Sequence, residues 1–203
     1  PGLDSGLSTL SKIKQTYNLP VLTDVHETHQ IKAAADVVDI LQIPAFLSRQ
    51  TDLLRTAGQS GKAVNLKKGQ FLAPGDMRYA VNKVTETGNS RVLVTERGVS
   101  FGYHNLVVDF RAIPQLRALG TPVVFDVTHS LQLPGGGDGV STGEAQFIEP
   151  LAAAGVAIGV DAVFLEIHEE PARAKSDGQN ALRLDRLQPL LERLLRIATA
   201  VKP

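Results

Sequence analysis

The stretch Ala63-Val64-Asn65-Leu66-Lys67-Lys68-Gly69-Gln70 decides the fold, because an apolar run breaks there into charge and a helical pattern over 74–87 follows. The same event recurs along the chain. Short runs rich in Val and Ile lie at Val21–Val25, Val38–Ile43, Ala63–Leu66, Val92–Thr95, Val123–Val127 and Ala162–Ile167. Between them stand amphipathic segments at His29–Ala35, Gln50–Ala57, Pro74–Thr87, Asp109–Leu119, Gly143–Ala154 and Leu184–Val201. A further helix precedes the first run, with Leu3, Leu7, Leu10 and Ile13 spaced by three or four along one face. Asn18-Leu19-Pro20, Gly88-Asn89 and Gly120-Thr121-Pro122 punctuate the returns from helix to strand. Runs that are continuously apolar belong to strands buried on both faces, which is the habit of parallel sheets. Strands that each lead into a helix make an α/β protein. A doubly wound open sheet and a barrel both fit this series.

The position of the polar residues favours the barrel. Every run closes on them at its C-terminal side: Thr23-Asp24-Val25-His26-Glu27, Gln42-Ile43-Pro44, Lys67-Lys68, Thr95-Glu96-Arg97-Gly98, Asp126-Val127-Thr128-His129-Ser130 and Glu166-Ile167-His168. Charge is costly to place in a packed interior, so its repetition at one end of successive strands needs a cause. In a (β/α)-barrel that end carries the active site, built from the converging βα loops.

Composition narrows the function. The chain has 203 residues, enough for one domain over 1–203 with a sizeable core. Formal net charge is zero, which argues against nucleic acid or a membrane surface as the main partner. No apolar run approaches the roughly 20 residues that span a bilayer. The absence of cysteine excludes disulfides and thiolate chemistry within these residues and makes a reducing cytoplasm the default compartment. The opening Pro1-Gly2-Leu3-Asp4 reads as the middle of a loop, so further sequence is expected upstream.

Each strand-end residue has a plain reading beside the chemical one. Lys67 and Lys68 could be a solvated pair, although alternation along the strand puts Asn65 and Lys67 on one side and favours Lys67 as the inward group. Arg97 could be a structural partner of Glu96. Lys67 and Arg97 could equally hold a phosphate or carboxylate, for which the planar guanidinium fork is well shaped. His129 alone fits a hydrogen-bonded structural histidine. With Glu166 and Asp177 it forms a partial ligand set for a divalent metal. The run Leu133-Pro134-Gly135-Gly136-Gly137-Asp138-Gly139 is neither a P-loop nor a dinucleotide fingerprint; it reads as a mobile active-site loop.

The same segments resemble the 3-deoxy-D-manno-octulosonate 8-phosphate synthase family. The resemblance is carried by Thr23-Asp24-Val25-His26-Glu27, by 42–53, by 65–71, by Glu96-Arg97-Gly98, by Asn105-Leu106-Val107-Val108-Asp109 and by 125–130, in order along nearly the whole chain. It implies a TIM (β/α)8 barrel of which six βα units are present and two N-terminal ones lie outside this sequence. It implies condensation of phosphoenolpyruvate with D-arabinose 5-phosphate and water, releasing phosphate. Lys67, Lys68 and Arg97 would then grip phosphoenolpyruvate, with Gln42, Ala45 and Arg49 lining its site. Asp24 and His26 would face the sugar, with Asp24, His26, Lys67 and His129 as the catalytic group. His129, Glu166 and Asp177 would be ligands to iron, zinc or manganese, a fourth ligand lying upstream; Ser176-Asp177 and the Leu133–Gly136 loop look like the metal-dependent branch. A cytoplasmic homotetramer feeding lipopolysaccharide synthesis is also implied. The alternatives are 3-deoxy-D-arabino-heptulosonate 7-phosphate synthase, which takes erythrose 4-phosphate, and an inactive barrel serving as a scaffold.

Overall fold

Each of the six apolar runs forms a strand, and each strand is followed by a helix before the next begins. The computed structural model describes residues 2–137 and 140–202. They divide into two compact units, Pro1–Gly69 with Gly75–Val94 and Gln70–Pro74 with Thr95–Pro203.

The first unit runs α1 (Leu3–Tyr17), β1 (Leu22–Asp24), α2 (Gln30–Val37), β2 (Ile40–Ile43), α3 (Thr51–Gln59), β3 (Ala63–Lys67), α4 (Met77–Thr85) and β4 (Val92–Glu96), whose last two residues pass into the second unit. Its strands lie in the order β1-β2-β3-β4. The pairs β1/β2 and β2/β3 are parallel, with Asp24 opposite Gln42 and Gln42 opposite Asn65. Val25, Ile31, Leu41, Ile43, Leu54, Val64, Leu66 and Val84 form its buried interior. Helix α1 ends where Asn18 turns left-handed at φ 51°, the stop that Asn18-Leu19-Pro20 signals.

The second unit continues from the end of β4 through β5 (Val99–Ser100), β6 (Leu106–Val107), α5 (Ala112–Arg117), β7 (Val123–Asp126), α6 (Val127–Ser130), β8 (Gln132–Gly137), β9 (Val140–Gly143), α7 (Ile148–Ala157), β10 (Ala162–Phe164), β11 (Ile167–His168), β12 (Leu182–Arg183) and α8 (Leu187–Ala200). Here the order is β4-β7-β10, with β7 and β10 parallel and Asp126 opposite Phe164. Phe125, Val127, Leu131, Ile148, Ala152, Leu182, Leu190 and Leu194 build its core. Helix α7 lies very close to β7. A methyl at Gly155 would sit 2.4 Å from the Phe125 ring, so the small residues Ala152 and Gly155 let the helix approach.

Several expected boundaries are corrected. The fifth strand stops at Asp126 because Val127–Ser130 turns into a short helix. The sixth stops at Phe164, and Ile167–His168 forms a separate strand paired in parallel with β12. Segments 109–119 and 143–154 shorten or shift to α5 and α7, since Asp109 accepts from the Arg111 amide in a turn and Gly143 belongs to β9. The glycine run 133–139 is described as far as Gly137. Its described part, 133–137, lies in β8, which pairs antiparallel with β9 around a register shift; Asp138 and Gly139 lie outside the described residues.

An aspartate just before the next strand ties each unit's sheet to a helix. Asp39 Oδ2 accepts from Val21 N at 2.9 Å and Oδ1 from Lys14 Nζ at 2.7 Å. The lysine holds the Asp39 carboxyl below its ordinary range, and the Val21 amide adds to the effect. Asp161 repeats this against Val123 N at 2.8 Å and Arg117 Nη2 at 2.7 Å. Val123 is fully buried, so loss of its acceptor is costly. Asp161→Ala is expected to destabilise by about 1–2 kcal/mol, nearly all of it from the stranded amide because exposed ion pairs contribute little. Asp161→Asn, which keeps an acceptor, should retain most of that stability. Thermal unfolding of the two variants checks this, and an unchanged midpoint in Asp161→Ala would refute it.

Candidate active site

In the first unit the register that pairs Asp24, Gln42 and Asn65 also aligns their side chains. Asn65 Nδ2 donates to Gln42 Oε1 at 2.8 Å, and Gln42 Nε2 donates to Asp24 Oδ1 at 2.9 Å. The two amides are buried and Asp24 is exposed, so a polar relay runs across three strands and ends on an accessible carboxylate. Gln42 is engaged at both its donor and its acceptor atom, so the relay orients it and holds Asp24 by one oxygen, Oδ1.

Lys67 ends β3 and Lys68 directly follows it. Both are buried, Lys67 at 7% exposure and Lys68 at 0%, so the solvated-pair reading is overturned. A lysine is rarely enclosed unless its ammonium has a task or a partner. Ala45 lies in a 3-10 turn over Ala45–Leu47, and Arg49 is exposed with its carbonyl accepting from Lys83 Nζ. The exposed His26 uses its backbone amide to bond Gln30 Oε1. Among the described residues, neither the His26 nor the Arg49 side chain bonds another candidate residue.

The second unit assembles two further groups. Arg97 directly follows β4, where Glu96 Oε1 accepts from both the Arg97 and Gly98 amides and sets the turn. The guanidinium is 4% exposed; its Nη2 donates to Gln132 Oε1, and its buried Nη1 has no hydrogen-bond partner among the described residues. Burial pushes Arg97 below its ordinary value, opposed by the carboxylates of Asp126, Glu96 and Asp177. A buried guanidinium edge with open donors is a receptor for an anion with paired oxygens.

His129 is placed by Asp126. That carboxylate caps α6 by accepting from His129 N at 3.0 Å, and His129 Nδ1 lies 2.9–3.1 Å from its two oxygens. The carboxylate behind Nδ1 orients the ring, and Nε2 lies 3.9 Å from Glu166 Oε2. Phe164 packs beside the imidazole, with ring centroids 5.6 Å apart. Thr128 Oγ1 fixes Glu166 by accepting from its amide at 2.9 Å. A divalent metal sits about 2.0–2.2 Å from such ligand atoms, so the separation of Nε2 and Oε2 is compatible with an ion between them. A carboxylate behind the distal ring nitrogen is the usual support of a metal-ligating histidine. His129 and Glu166 therefore fit such an ion. Asp177 is held instead by Gln132 Nε2 at 2.6 Å, and among the described residues no set of three His, Cys, Asp or Glu side chains converges.

Sequence reasoning missed Gln132 and the orienting roles of Asp126 and Asn65. The spacing Asp126-x-x-His129 is a helix N-cap pattern and was a signal for one of them. Gln132 carries no local signal, since its partners lie 35 and 45 residues away. Two further histidines make local bonds: His104 Nδ1 meets Pro134 O at 2.6 Å, and His168 Nδ1 accepts from Glu170 N at 3.0 Å.

Six strand–helix units with buried cations and oriented carboxylates at the strand ends define a (β/α)-barrel enzyme class that handles anionic substrates. The sequence profile of the DAHP synthetase I family matches residues 1–202. The chain is similar to the 2-dehydro-3-deoxyphosphooctonate aldolases of Koribacter versatilis (60% identity) and Syntrophotalea carbinolica (57%), covering all of this chain and 74% and 73% of theirs. The corresponding protein of a Cyanothece species is 55% identical over 98% of this chain and 73% of its own length. The chain belongs to the DAHP synthetase I family, among the 2-dehydro-3-deoxyphosphooctonate aldolases. No helix among the described residues is long and apolar enough to cross a membrane.

Proposed function

We propose that this chain is a transferase that condenses phosphoenolpyruvate with D-arabinose 5-phosphate and water, giving 3-deoxy-D-manno-octulosonate 8-phosphate and inorganic phosphate. The observation that carries the reading is the 55–60% identity, over essentially the whole chain, to relatives named for that octulosonate chemistry. C3 of the enol forms a bond to the aldehyde carbon, whose oxygen takes a proton. Water adds at C2, and the resulting hemiketal phosphate loses phosphate by C–O cleavage.

The residues divide these tasks. Arg97 offers its buried fork to the phosphate or carboxylate of phosphoenolpyruvate, and Lys67 and Lys68 supply further positive charge. Cations fixed before substrate arrives stabilise charge that shifts during reaction without reorganising. Gln42 holds Asp24 so that its free oxygen can accept from a sugar hydroxyl. Ala45 and Arg49 line the phosphoenolpyruvate region, and His26 stands on the sugar side. His129 and Glu166 would hold a divalent iron, zinc or manganese ion, with Asp177 as a third ligand once released from Gln132. When bound, the ion supplies Lewis acidity and orientation. A cytoplasmic homotetramer belongs to the same reading, and the exposed rings of Phe46, Phe101 and Tyr103 are surfaces that subunit contacts commonly cover.

The test is phosphate release from phosphoenolpyruvate with each of two acceptors. Arabinose 5-phosphate should turn over at least about tenfold faster than erythrose 4-phosphate, a margin that one added hydroxylated carbon can supply through specific hydrogen bonds. Faster turnover with erythrose 4-phosphate would assign the heptulosonate reaction instead. No turnover with either, together with no phosphoenolpyruvate binding, would leave a scaffold.

A further inference from the structure

Within the second unit, Gln132 joins two groups that the proposed chemistry uses separately. Its Oε1 accepts from Arg97 Nη2 at 2.5 Å and its Nε2 donates to Asp177 Oδ1 at 2.6 Å. A primary amide is suited to this position because it accepts at one terminal atom and donates at the other. The polarity of the link is therefore fixed, from guanidinium through amide to carboxylate. Both bonds involve a charged partner, which makes them stronger than neutral ones.

Each end of the link is otherwise constrained. Arg97 is 96% buried by its 4% exposure, and its second terminal nitrogen, Nη1, has no hydrogen-bond partner among the described residues. With Nη2 tied to Gln132, the orientation of the open nitrogen is set before any ligand enters. At the other end Asp177 holds a left-handed φ of 55°, which costs a non-glycine residue energy. The next residue, Gly178, leaves no room for a side chain, since a Cβ would fall 2.2 Å from Pro171 O. The backbone thus presents Asp177 in one place, and Gln132 takes its carboxylate there.

We propose that Gln132 is a positioning residue that couples the anion-receiving orientation of Arg97 to the state of Asp177. This rests on the reading of Arg97 as the holder of phosphoenolpyruvate. When Asp177 accepts from Gln132, the amide is held with its oxygen toward Arg97 and the guanidinium is preorganised. When Asp177 lets go, the amide can rotate and Arg97 must be ordered at the expense of ligand affinity. Ligands at the two ends then influence each other reciprocally.

Calorimetric titration of phosphoenolpyruvate into protein kept in chelator reads this without turnover. Gln132→Met, similar in length but without donor or acceptor, is expected to weaken binding about tenfold, within the range seen for coupled contacts. Asp177→Asn removes charge but keeps an acceptor for Gln132, whereas Asp177→Ala removes both. Comparing those two isolates the hydrogen bond from the electrostatic change. Asp177→Ala should bind about three- to fivefold more weakly than Asp177→Asn with Gln132 present, and equally when each is combined with Gln132→Met. A difference that persists in the Gln132→Met background overturns the coupling, as does wild-type affinity in Gln132→Met itself. Should Gln132→Met fail to fold, equal affinity of the two Asp177 variants in the Gln132-containing protein overturns it as well. Wild-type protein that binds no phosphoenolpyruvate overturns the underlying functional reading too, which separates the two failures.

Discussion

Arg97→Met is expected to lower kcat/KM for phosphoenolpyruvate by about 10³-fold, equivalent to roughly 4 kcal/mol, the usual cost of truncating one partner of a buried, charged hydrogen-bonded pair. The fold should survive the change. Glu96 keeps the Arg97 and Gly98 amides as donors, and Asp126 keeps the His129 amide, so neither carboxylate is stranded. Arg97→Lys is the more discriminating variant. It retains charge but loses the fork that reaches Gln132 with one nitrogen while leaving another open, and about 10²-fold should still be lost. Initial rates of phosphate release against phosphoenolpyruvate concentration measure both, with circular dichroism as the control for folding. If Arg97→Lys stays within tenfold of wild type, the fork is not the anion receptor and Arg97 acts only through its charge.

What made Arg97 legible was the break from Val92-Leu93-Val94 into Thr95-Glu96-Arg97-Gly98. Apolar continuity reports burial on both faces of a strand, and a charge at its end reports where that burial stops. All six strands were visible this way because each depends on residues adjacent in sequence. The same logic marked Lys67 and Lys68 as candidates but left a solvated pair open beside that reading. Composition alone favours solvation for paired lysines, but Lys68 is fully buried in the folded chain. The strand at 133–137 was hidden for a related reason. Glycine is a poor strand former on its own, and β8 exists because β9 lies opposite to pair with it. Side-chain partners were the least legible layer. The Asp24–Gln42–Asn65 relay needs the strand register, and Arg97–Gln132–Asp177 needs contacts made across 35 and 45 residues. The Asp39 and Asp161 ties share local pairs, Pro20-Val21 with Val38-Asp39 and Pro122-Val123 with Val160-Asp161, yet the cation each recruits, Lys14 or Arg117, lies outside those pairs.

The second large effect is expected at His129. Its Nδ1 is committed to Asp126 and its Nε2 faces Glu166 across 3.9 Å, so the pair has one cation-sized gap. Protein loaded with Mn²⁺ and freed of excess ion should hold one metal per chain, and His129→Ala should hold none under the same conditions. Removing one ligand from a protein metal site weakens binding more than the roughly 10–100-fold that loss of an outer-shell partner costs. Asp126→Asn provides that milder comparison, because it perturbs only the support behind the imidazole, and it should fall between wild type and His129→Ala. Metal content measured by elemental analysis gives the answer independently of catalysis. Turnover should follow, with kcat of His129→Ala lower by about 10³-fold or more if Lewis acidity contributes several kcal/mol. Stoichiometric metal retained by His129→Ala would remove the ion from this position. Full activity in chelated wild-type protein would show that His129 serves the reaction as a bonded imidazole alone, and Glu166→Gln should then leave kcat nearly unchanged, whereas a metal held between the two side chains requires both variants to lose metal and rate together.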